Sequence, residues 1–237
     1  MKGYHKSILY ATLIIISVIC MAAGLVSCTP KAQNPSENKP TPQTTPTPTA
    51  IPTLTPTPTP SPTPKEESLL GFYPLKEGNM WEYEGEGMEY ASFVQKVVFS
   101  SGNRHQVTID NGGTVIANVI EEKKDSIVNT YRAGESYNNE NILSKSSNVN
   151  IIMIQTPLEK GNFWISEENH YEIVDTEADI TVPAGVFEDC IAVKVTFKDQ
   201  TSNMVYYYKK GIGMVQSEFR TDVGDLITSK LKRYSFK

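Results

Sequence analysis

The feature that most limits what this chain can fold into is a set of short runs after Glu66 in which apolar and polar residues alternate. Alternation with period two places every second side chain on the same face of a strand, so each run predicts a strand with one buried face. No window of about ten residues carries the apolar stripe of a helix. We therefore predict an all-β fold, a curved antiparallel sheet of about eight to eleven strands forming a half-barrel, a sandwich or a barrel.

Turn residues separate the predicted strands. The runs that predict strands are 93–99, 104–110, 114–120, 126–132, 150–155, 173–182, 191–197, 204–209, 214–220 and 226–236. Asn111-Gly112-Gly113 predicts a hairpin, because both central positions of its turn favour a positive φ. Val182-Pro183-Ala184-Gly185 predicts another tight turn, with proline at its second position. Together these signals predict a single antiparallel β domain over residues 67–237.

The first residues of the chain have the parts of a secretory signal. A basic leader is followed by an uncharged, mostly apolar run from Ile8 to Val26. The tract Leu25-Val26-Ser27-Cys28 resembles the lipobox of a bacterial lipoprotein. This resemblance implies that residues 1–27 are a signal peptide, cut between Ser27 and Cys28, and that Cys28 is the acylated first residue of the mature protein.

Two alternatives to acylation at Cys28 are open. Cys20 is a competing acceptor, but the branched Ile19 before it fits the small-residue requirement poorly. The apolar run could also remain uncleaved, because about nineteen helical residues span about 28 Å, close to the thickness of a bilayer core. If Cys28 is acylated, chains such as palmitate would hold the protein stably on the extracytoplasmic face of the cell membrane.

Residues 28–66 combine the lipidated cysteine with a low-complexity tract rich in threonine and proline. Twelve of the fifteen prolines lie between residues 29 and 64. Proline fixes φ and removes a backbone donor, so this tract is expected to be disordered, without helix or sheet. We predict an extended linker with a reach of at most about 110 Å. It serves either as a stalk that lifts the β domain from the membrane or as a plain connection.

Charge and cysteine content limit the possible partners and the source of stability. The formal net charge of −5 becomes −7 when Lys2 and Lys6 leave with the signal peptide. Nucleic-acid binding is therefore not expected, because it depends on neutralising phosphates. Cys190 is the only cysteine left in the predicted domain. Stability must come from a core rather than from an internal disulfide.

The sequence contains no complete catalytic or metal-binding motif. A nucleophile elbow, a phosphate-binding glycine loop and a zinc-binding helix motif are all missing. His105 is expected to be a packed core histidine and His170 an exposed one. Cys190, beside two acids, is expected to pack as an inert apolar group. We therefore predict a non-enzymatic protein with no catalytic residue, no metal site and no cofactor, and we assign no residue to ligand binding.

One run carries a row of acids that could suggest a calcium site. Asp175, Glu177 and Asp179 alternate along residues 173–182 and are expected to form the solvated face of a strand, opposite Val174, Thr176, Ala178, Ile180 and Val182. Carboxylates two positions apart on a strand lie about 6.6–6.8 Å apart, which is wide for sharing one ion. A solvated face is the preferred interpretation.

Aromatic residues are numerous in the predicted domain. They include Phe72, Tyr73, Trp81, Tyr83, Tyr90, Phe163, Trp164, Tyr171 and Tyr206–Tyr208. Such side chains either fill a core or line a pocket for a sugar or a lipid, and the core is preferred for most of them. In Tyr206-Tyr207-Tyr208 the middle ring must point away from its two neighbours.

Three tracts in order resemble a group of secreted bacterial lipoproteins of uncharacterised function, described as TapB-like. The tracts are Tyr73-Pro74-Leu75-Lys76-Glu77-Gly78-Asn79-Met80-Trp81, Val182-Pro183-Ala184-Gly185-Val186-Phe187-Glu188-Asp189-Cys190 and Tyr207-Tyr208-Lys209-Lys210-Gly211-Ile212-Gly213-Met214-Val215. The resemblance implies a curved antiparallel β domain over about residues 70–220, without known catalytic residues. In the first tract Trp81 is expected to anchor the core, and the third tract is expected to be a glycine-hinged hairpin.

Three functional hypotheses follow from these observations. The first is a lipid-anchored, non-enzymatic β module of the cell envelope that binds a ligand or contributes to envelope structure. The second is a carrier or sensor of an apolar molecule, held in a concave cavity lined by aromatic side chains. The third is an enzyme that uses carboxylates from different strands, which would require two acids converging in one pocket.

Overall fold

The computed structural model describes residues 69–199 and 201–237. These residues belong to the unit Glu67–Lys237. The predicted signal peptide 1–27, the acylation site Cys28 and the spacer up to residue 66 lie outside the described residues. Within the described ranges, no helix has the length and apolar character needed to cross a membrane.

The described part of the chain is all-β, as predicted. A short 3-10 helix at Leu69–Phe72 precedes twelve strands. The strands are β1 (Met80–Glu86), β2 (Phe93–Ser101), β3 (Arg104–Asp110), β4 (Val115–Glu122), β5 (Ser126–Ala133), β6 (Ile151–Gln155), β7 (Phe163–Ser166), β8 (Asn169–Val182), β9 (Gly185–Thr196), β10 (Asn203–Lys209), β11 (Gly213–Arg220) and β12 (Leu226–Ser235). The strands β1 and β7 lie outside the ten predicted runs.

The twelve strands form one antiparallel sheet in which almost every strand pairs with its neighbours along the chain. The exceptions are that β6 and β7 do not pair with each other and that the first strand, β1, pairs with the last, β12. Because β1 and β12 pair, the two edge strands of the sheet are β6 and β7, which lie in the middle of the sequence. A meander closed by its terminal strands is a barrel with its seam between β6 and β7.

Side chains join the edge strands β6 and β7 across the seam. Ser166 Oγ accepts a hydrogen bond from Ile152 N and donates one to Asn150 O, each at 2.8 Å. Trp164 Nε1 donates to Ile152 O at 3.0 Å. These bonds engage backbone groups that an edge strand would otherwise leave unpaired, so they nearly close the barrel and protect its edges.

The predicted Asn111 hairpin joins β3 and β4, although its mechanism differs from the prediction. Of the three residues Asn111, Gly112 and Gly113, only Gly112 has a positive φ, at 80°. The Asn111 Oδ1 atom accepts hydrogen bonds from Gly113 N at 3.0 Å and Thr114 N at 2.9 Å. Because the asparagine side chain holds the turn, one left-handed residue is sufficient.

The prediction for residues 173–182 was only partly correct. The pairing of β8 with β9 shifts register three times between Ile173 and Ile180. A bulge changes which side chains point inward. Ile173 and Ile180 are therefore both buried, although uninterrupted alternation would place them on opposite faces. Glu177 and Asp179 are exposed, as predicted.

The segment before β1 closes one end of the barrel. Leu69, Phe72 and Leu75 are buried there. Gly71 O accepts a hydrogen bond from Gly211 N, in the turn between β10 and β11, at 2.6 Å. This end, which we call the closed end, is therefore fixed by both packing and backbone hydrogen bonds.

The three tracts named above meet at the closed end. Trp81 is 1% exposed, which confirms it as a core anchor, and its Nε1 donates to Ile212 O of the third tract at 2.7 Å. In the second tract Val182 pairs with Gly185 across the predicted turn, and Ala184 N donates to the backbone of β12. The third tract forms the predicted hairpin between β10 and β11.

A second, smaller core lies on the outer face of β4 and β5. It consists of Ala117, Val119 and Ile142, with Tyr131 and Leu143 packed against it. Gln106 ties the connection between β5 and β6 to this face, because its Nε2 donates to Glu140 O at 2.9 Å and its Oε1 accepts from Ile142 N at 2.8 Å. The long connection between β5 and β6 is therefore packed against the sheet.

Candidate functional site

The interior of the barrel contains a cavity of about 300 Å³. Aliphatic, methionine and tyrosine side chains form most of its wall. The polar lining residues are Gln95, Asn118, Asn129, Arg132, Ser217 and Ser229. A mostly apolar wall with a few convergent polar groups is typical of a small-molecule site.

The cavity extends from the closed end, where Tyr73 and Tyr208 line it, into the opposite half of the barrel. Its wall includes Phe93 at the start of β2, Ile109 near the end of β3 and Ile151 at the start of β6. Tyr90, in the turn between β1 and β2, also lines it. In an antiparallel meander, alternate turns lie at the same end, so the turns that follow β1, β3 and β5 surround this half of the cavity.

The tyrosine triplet on β10 confirms the predicted alternation. Tyr206 and Tyr208 both line the cavity, with ring centroids 6.2 Å apart. The intervening Tyr207 is half-buried and is not among the lining residues. Two of the three rings thus contribute to the wall of the cavity rather than only filling the core.

Three buried phenols of the cavity, those of Tyr73, Tyr171 and Tyr206, are neutral donors at physiological pH. Burial raises the pKa of Tyr73 to about 12 and also raises the pKa of Tyr171 and of Tyr206. The positive charge of Arg132 opposes this increase in the pKa of all three. Its field therefore reaches the tyrosine side of the cavity.

Among the residues that the structure describes, Arg132 is the only charged one that lines the cavity. Its Nε donates to Asn118 Oδ1 at 3.1 Å. The same oxygen accepts a hydrogen bond from Asn129 Nδ2 at 2.8 Å. The Asn129 Oδ1 atom is buried without a hydrogen-bond partner. We call Asn118, Asn129 and Arg132 the polar cluster.

A bulge in β5 turns Arg132 into the barrel. Val119 and Ile120 are consecutive on β4, but they pair with Tyr131 and Asn129, so Thr130 is an extra residue on β5. Alternation from Asn129 would otherwise place Arg132 on the outer face. The bulge restores the inward direction two residues later, as bulges commonly do near functional sites.

Asn148 fixes the backbone on either side of the bulge. Its Oδ1 accepts from Arg132 N and its Nδ2 donates to Arg132 O, both at 2.8 Å. Its own backbone N donates to Thr130 O at 3.1 Å. The backbone of Arg132 is therefore held in place by the connection between β5 and β6.

Both histidines weighed as candidate site residues from the sequence lie outside the cavity. His105 is 8% exposed and its Nδ1 is 2.9 Å from Ser100 Oγ, which confirms a packed core histidine. Burial lowers its pKa, so the ring is neutral at physiological pH. His170 is exposed and stacks on Phe163 with ring centroids 5.5 Å apart.

Cys190 is fully buried, as predicted. Burial raises the pKa of its thiol to about 11, so the reactive thiolate is scarce at neutral pH. Among the described residues, no group of three histidine, cysteine, aspartate or glutamate side chains is arranged to hold a metal ion.

The polar cluster was not predicted from the sequence. Asn118 and Asn129 are polar residues within otherwise apolar stretches of their strands, and this is the one local signal that could have indicated them. Nothing local indicates that Arg132 points inward, because its direction depends on the bulge at Thr130.

Two solved structures are similar in fold. One, from Bacteroides fragilis, is of a protein inferred to be exported, with a YmcC-like fold; it is 15% identical, covers 70% of this chain and 99% of its own, and has a TM-score of 0.37. The other, from Parabacteroides distasonis, is of a protein inferred to be a lipoprotein; it is 14% identical, covers 69% of this chain and 98% of its own, and has a TM-score of 0.40. Neither likeness is close enough to identify a function.

No protein-family model matches the sequence, and no curated protein matches it. The resemblance to TapB-like lipoproteins, based on the three tracts, therefore stays a prediction. The cavity and the sequence of the N-terminal segment are the features of this protein that indicate a function.

Proposed function

We propose that this protein is a lipid-anchored, extracytoplasmic binding module that holds a small apolar molecule inside its barrel. Acylation of Cys28 would anchor it to the cell membrane, and the Thr/Pro-rich spacer would separate the barrel from the lipid surface. The cavity would then act on its ligand by binding alone, as a carrier or a sensor.

The observation that carries the proposal is the cavity of about 300 Å³ inside the barrel. A barrel of this kind has either side chains or a ligand space at its centre. Empty space with an apolar wall loses dispersion contacts, so an apolar ligand that fills it is favoured by both packing and dehydration. The aromatic side chains contribute to this wall, as the carrier hypothesis requires.

The composition of the cavity favours binding over catalysis by carboxylates. An enzyme of the third class would need two acids converging in one pocket. No aspartate or glutamate of the described ranges lines the cavity, and burial holds the phenols of Tyr73, Tyr171 and Tyr206 in their neutral form by raising their pKa. Envelope structure without a ligand, the other part of the first hypothesis, gives no reason for the cavity.

Filling the cavity should weaken binding. Ile109 lines the cavity on β3, and Ile109→Trp places a larger ring in the ligand space. We expect the affinity for 1-decanol to fall about fivefold or more, since fitting the ligand beside the larger ring would cost about 1–3 kcal/mol of overpacking strain. The measurement is calorimetric titration of the full chain in a nonionic detergent, with protein-free detergent subtracted.

The matched control is Ile165→Trp. Ile165 is also a strand isoleucine, but it is 70% exposed on β7 and does not line the cavity. This variant should bind 1-decanol as the wild type does. Equal affinity in the wild type and Ile109→Trp, with thermal unfolding unchanged, would contradict binding inside the barrel.

A further inference from the structure

We propose that the ligand is an amphiphile with an oxyanion head group, a carboxylate or a phosphate, and that Arg132 binds this head group. The inference rests on the proposed function, because it specifies the ligand of the same cavity. Its basis is the charge and hydrogen-bonding pattern of the polar cluster.

Arg132 has no counter-ion among the described residues. It is the only charged one of those residues that lines the cavity, and none of their ion pairs includes it. The side chain is half-buried against a mostly apolar wall, and a partly desolvated charge is costly unless an opposite charge or several hydrogen bonds compensate it. A ligand anion would supply that compensation.

The hydrogen bonds of the polar cluster leave the anion-binding side of the guanidinium available. The Nε of Arg132 donates a hydrogen bond to Asn118 Oδ1 at 3.1 Å. The same oxygen also accepts a hydrogen bond from Asn129 Nδ2. The two terminal nitrogens of Arg132 form no hydrogen bond within the described part of the chain. Paired N–H groups of this kind match the two oxygens of a carboxylate or phosphate.

The rest of the cavity suits an amphiphile rather than a free anion. Neutral phenols, among them Tyr171 and Tyr206, lie where the field of Arg132 reaches them, and they add donors for an oxyanion. Most of the wall is apolar and suits an alkyl chain. A small inorganic anion would leave this apolar space empty.

Asn129 Oδ1 is buried without a hydrogen-bond partner among the described residues, and this gives the site a preference between a carboxylate and a phosphate. The hydrogen bond from Asn129 Nδ2 to Asn118 Oδ1 fixes the orientation of this amide, so the unpartnered atom is an acceptor. A singly protonated phosphate monoester carries an O–H that can donate to it, whereas an ionised carboxylate does not. A mildly acidic pH should therefore favour the phosphate.

The test compares ligands that share a ten-carbon chain and differ only in the head group. Decanoate, decyl phosphate, 1-decanol and decyltrimethylammonium are titrated into the full chain in the same nonionic detergent, so that partition into micelles can be measured and subtracted for each. The variants are Arg132→Gln, Arg132→Lys, which retains the charge, and Arg220→Gln as the matched control. Arg220 is an exposed arginine on β11.

For the wild type we expect at least one of the two anions to bind about tenfold or more tightly than 1-decanol, which corresponds to the lower range for a charge-assisted hydrogen bond. Decyltrimethylammonium should bind more weakly than 1-decanol. Arg132→Gln should abolish the preference for anions and leave 1-decanol affinity within about twofold. Arg132→Lys should retain part of the preference, and Arg220→Gln should retain all of it.

The outcomes separate this inference from the proposed function. If 1-decanol binds and neither anion binds more tightly, the head-group assignment is wrong and the apolar cavity remains. If Arg132→Gln keeps the preference for anions, Arg132 is not the binding residue. If no ligand binds the wild type, both proposals fail. The wild-type series needs no substitution, so it decides the head-group class even if Arg132→Gln does not fold.

Discussion

Replacing Cys28 with alanine should abolish incorporation of labelled palmitate into this protein. The thioether that carries the diacylglyceryl group needs the sulfur of Cys28, so the expected loss is complete rather than partial. Two or more acyl chains give stable anchoring, whereas one gives only marginal binding. The measurements are metabolic labelling with palmitate and the intact mass of the membrane form, which should begin at a lipid-modified Cys28 only in the wild type.

The chain contains its own control for this experiment. Cys20→Ala removes a thiol from the same apolar segment but should leave labelling and the mature mass unchanged. Labelling that survives Cys28→Ala, or that disappears in Cys20→Ala, would reject the lipobox. A wild-type protein that retains residues 1–27 and carries no label would instead support the uncleaved membrane helix.

The strands were predictable where the information that defines them is local. The predicted bounds of β3, 104–110, are those observed, and β11 differs by one residue at its start. Each run combines an uninterrupted alternation with a turn whose chemistry is contained in a few residues. The Asn111 and Pro183 turns were predictable for the same reason.

The pairing of the first strand with the last was not predictable, because alternation does not say which strands meet. A period-two pattern fits a half-barrel, a sandwich or a barrel equally well. The contact between β1 and β12, and the side-chain bonds of Ser166 and Trp164 across the seam, join residues that are distant along the chain. Tertiary packing therefore decided among the three architectures.

Bulges account for the errors in side-chain direction. One extra residue reverses the inward and outward positions of everything that follows it on a strand. In β8 repeated shifts bury both Ile173 and Ile180, and in β5 the bulge at Thr130 directs Arg132 into the cavity. Residue types alone did not indicate these bulges, which explains why the polar cluster was not predicted although the sequence analysis had weighed the tyrosines of the cavity wall as a possible pocket.

The position of the bulge also connects fold and proposed function. The connection between β5 and β6 packs on the outer face through Gln106 and Ile142, and it provides Asn148, which holds the backbone of Arg132 from the other side of the strand. Arg132 is half-buried beside a mostly apolar wall, and without such support its charged side chain would turn toward water. The outer core thus serves to position a residue of the inner cavity.

Trp81→Ala should remove a large part of the stability of the barrel. Trp81 is 1% exposed, its Nε1 donates to Ile212 O at 2.7 Å, and its ring meets Phe236 with centroids 5.5 Å apart. Truncating a buried tryptophan costs about 3–5 kcal/mol, which is a large share of the about 5–15 kcal/mol that a domain usually has. Urea unfolding followed by far-ultraviolet circular dichroism should show a much lower midpoint.

Two comparisons make this expectation specific to the closed end. Tyr137→Ala removes an aromatic ring that is 62% exposed, and the free energy of unfolding should change by less than about 0.5 kcal/mol. Trp81→Phe keeps most of the ring but loses the bond to Ile212 O, so its effect should be intermediate. If Trp81→Ala unfolded at the same urea concentration as Tyr137→Ala, the closed end would not be part of the cooperative core. The hydrogen bond between the first and third tracts would then be a surface feature rather than a contact that stabilises the closed end.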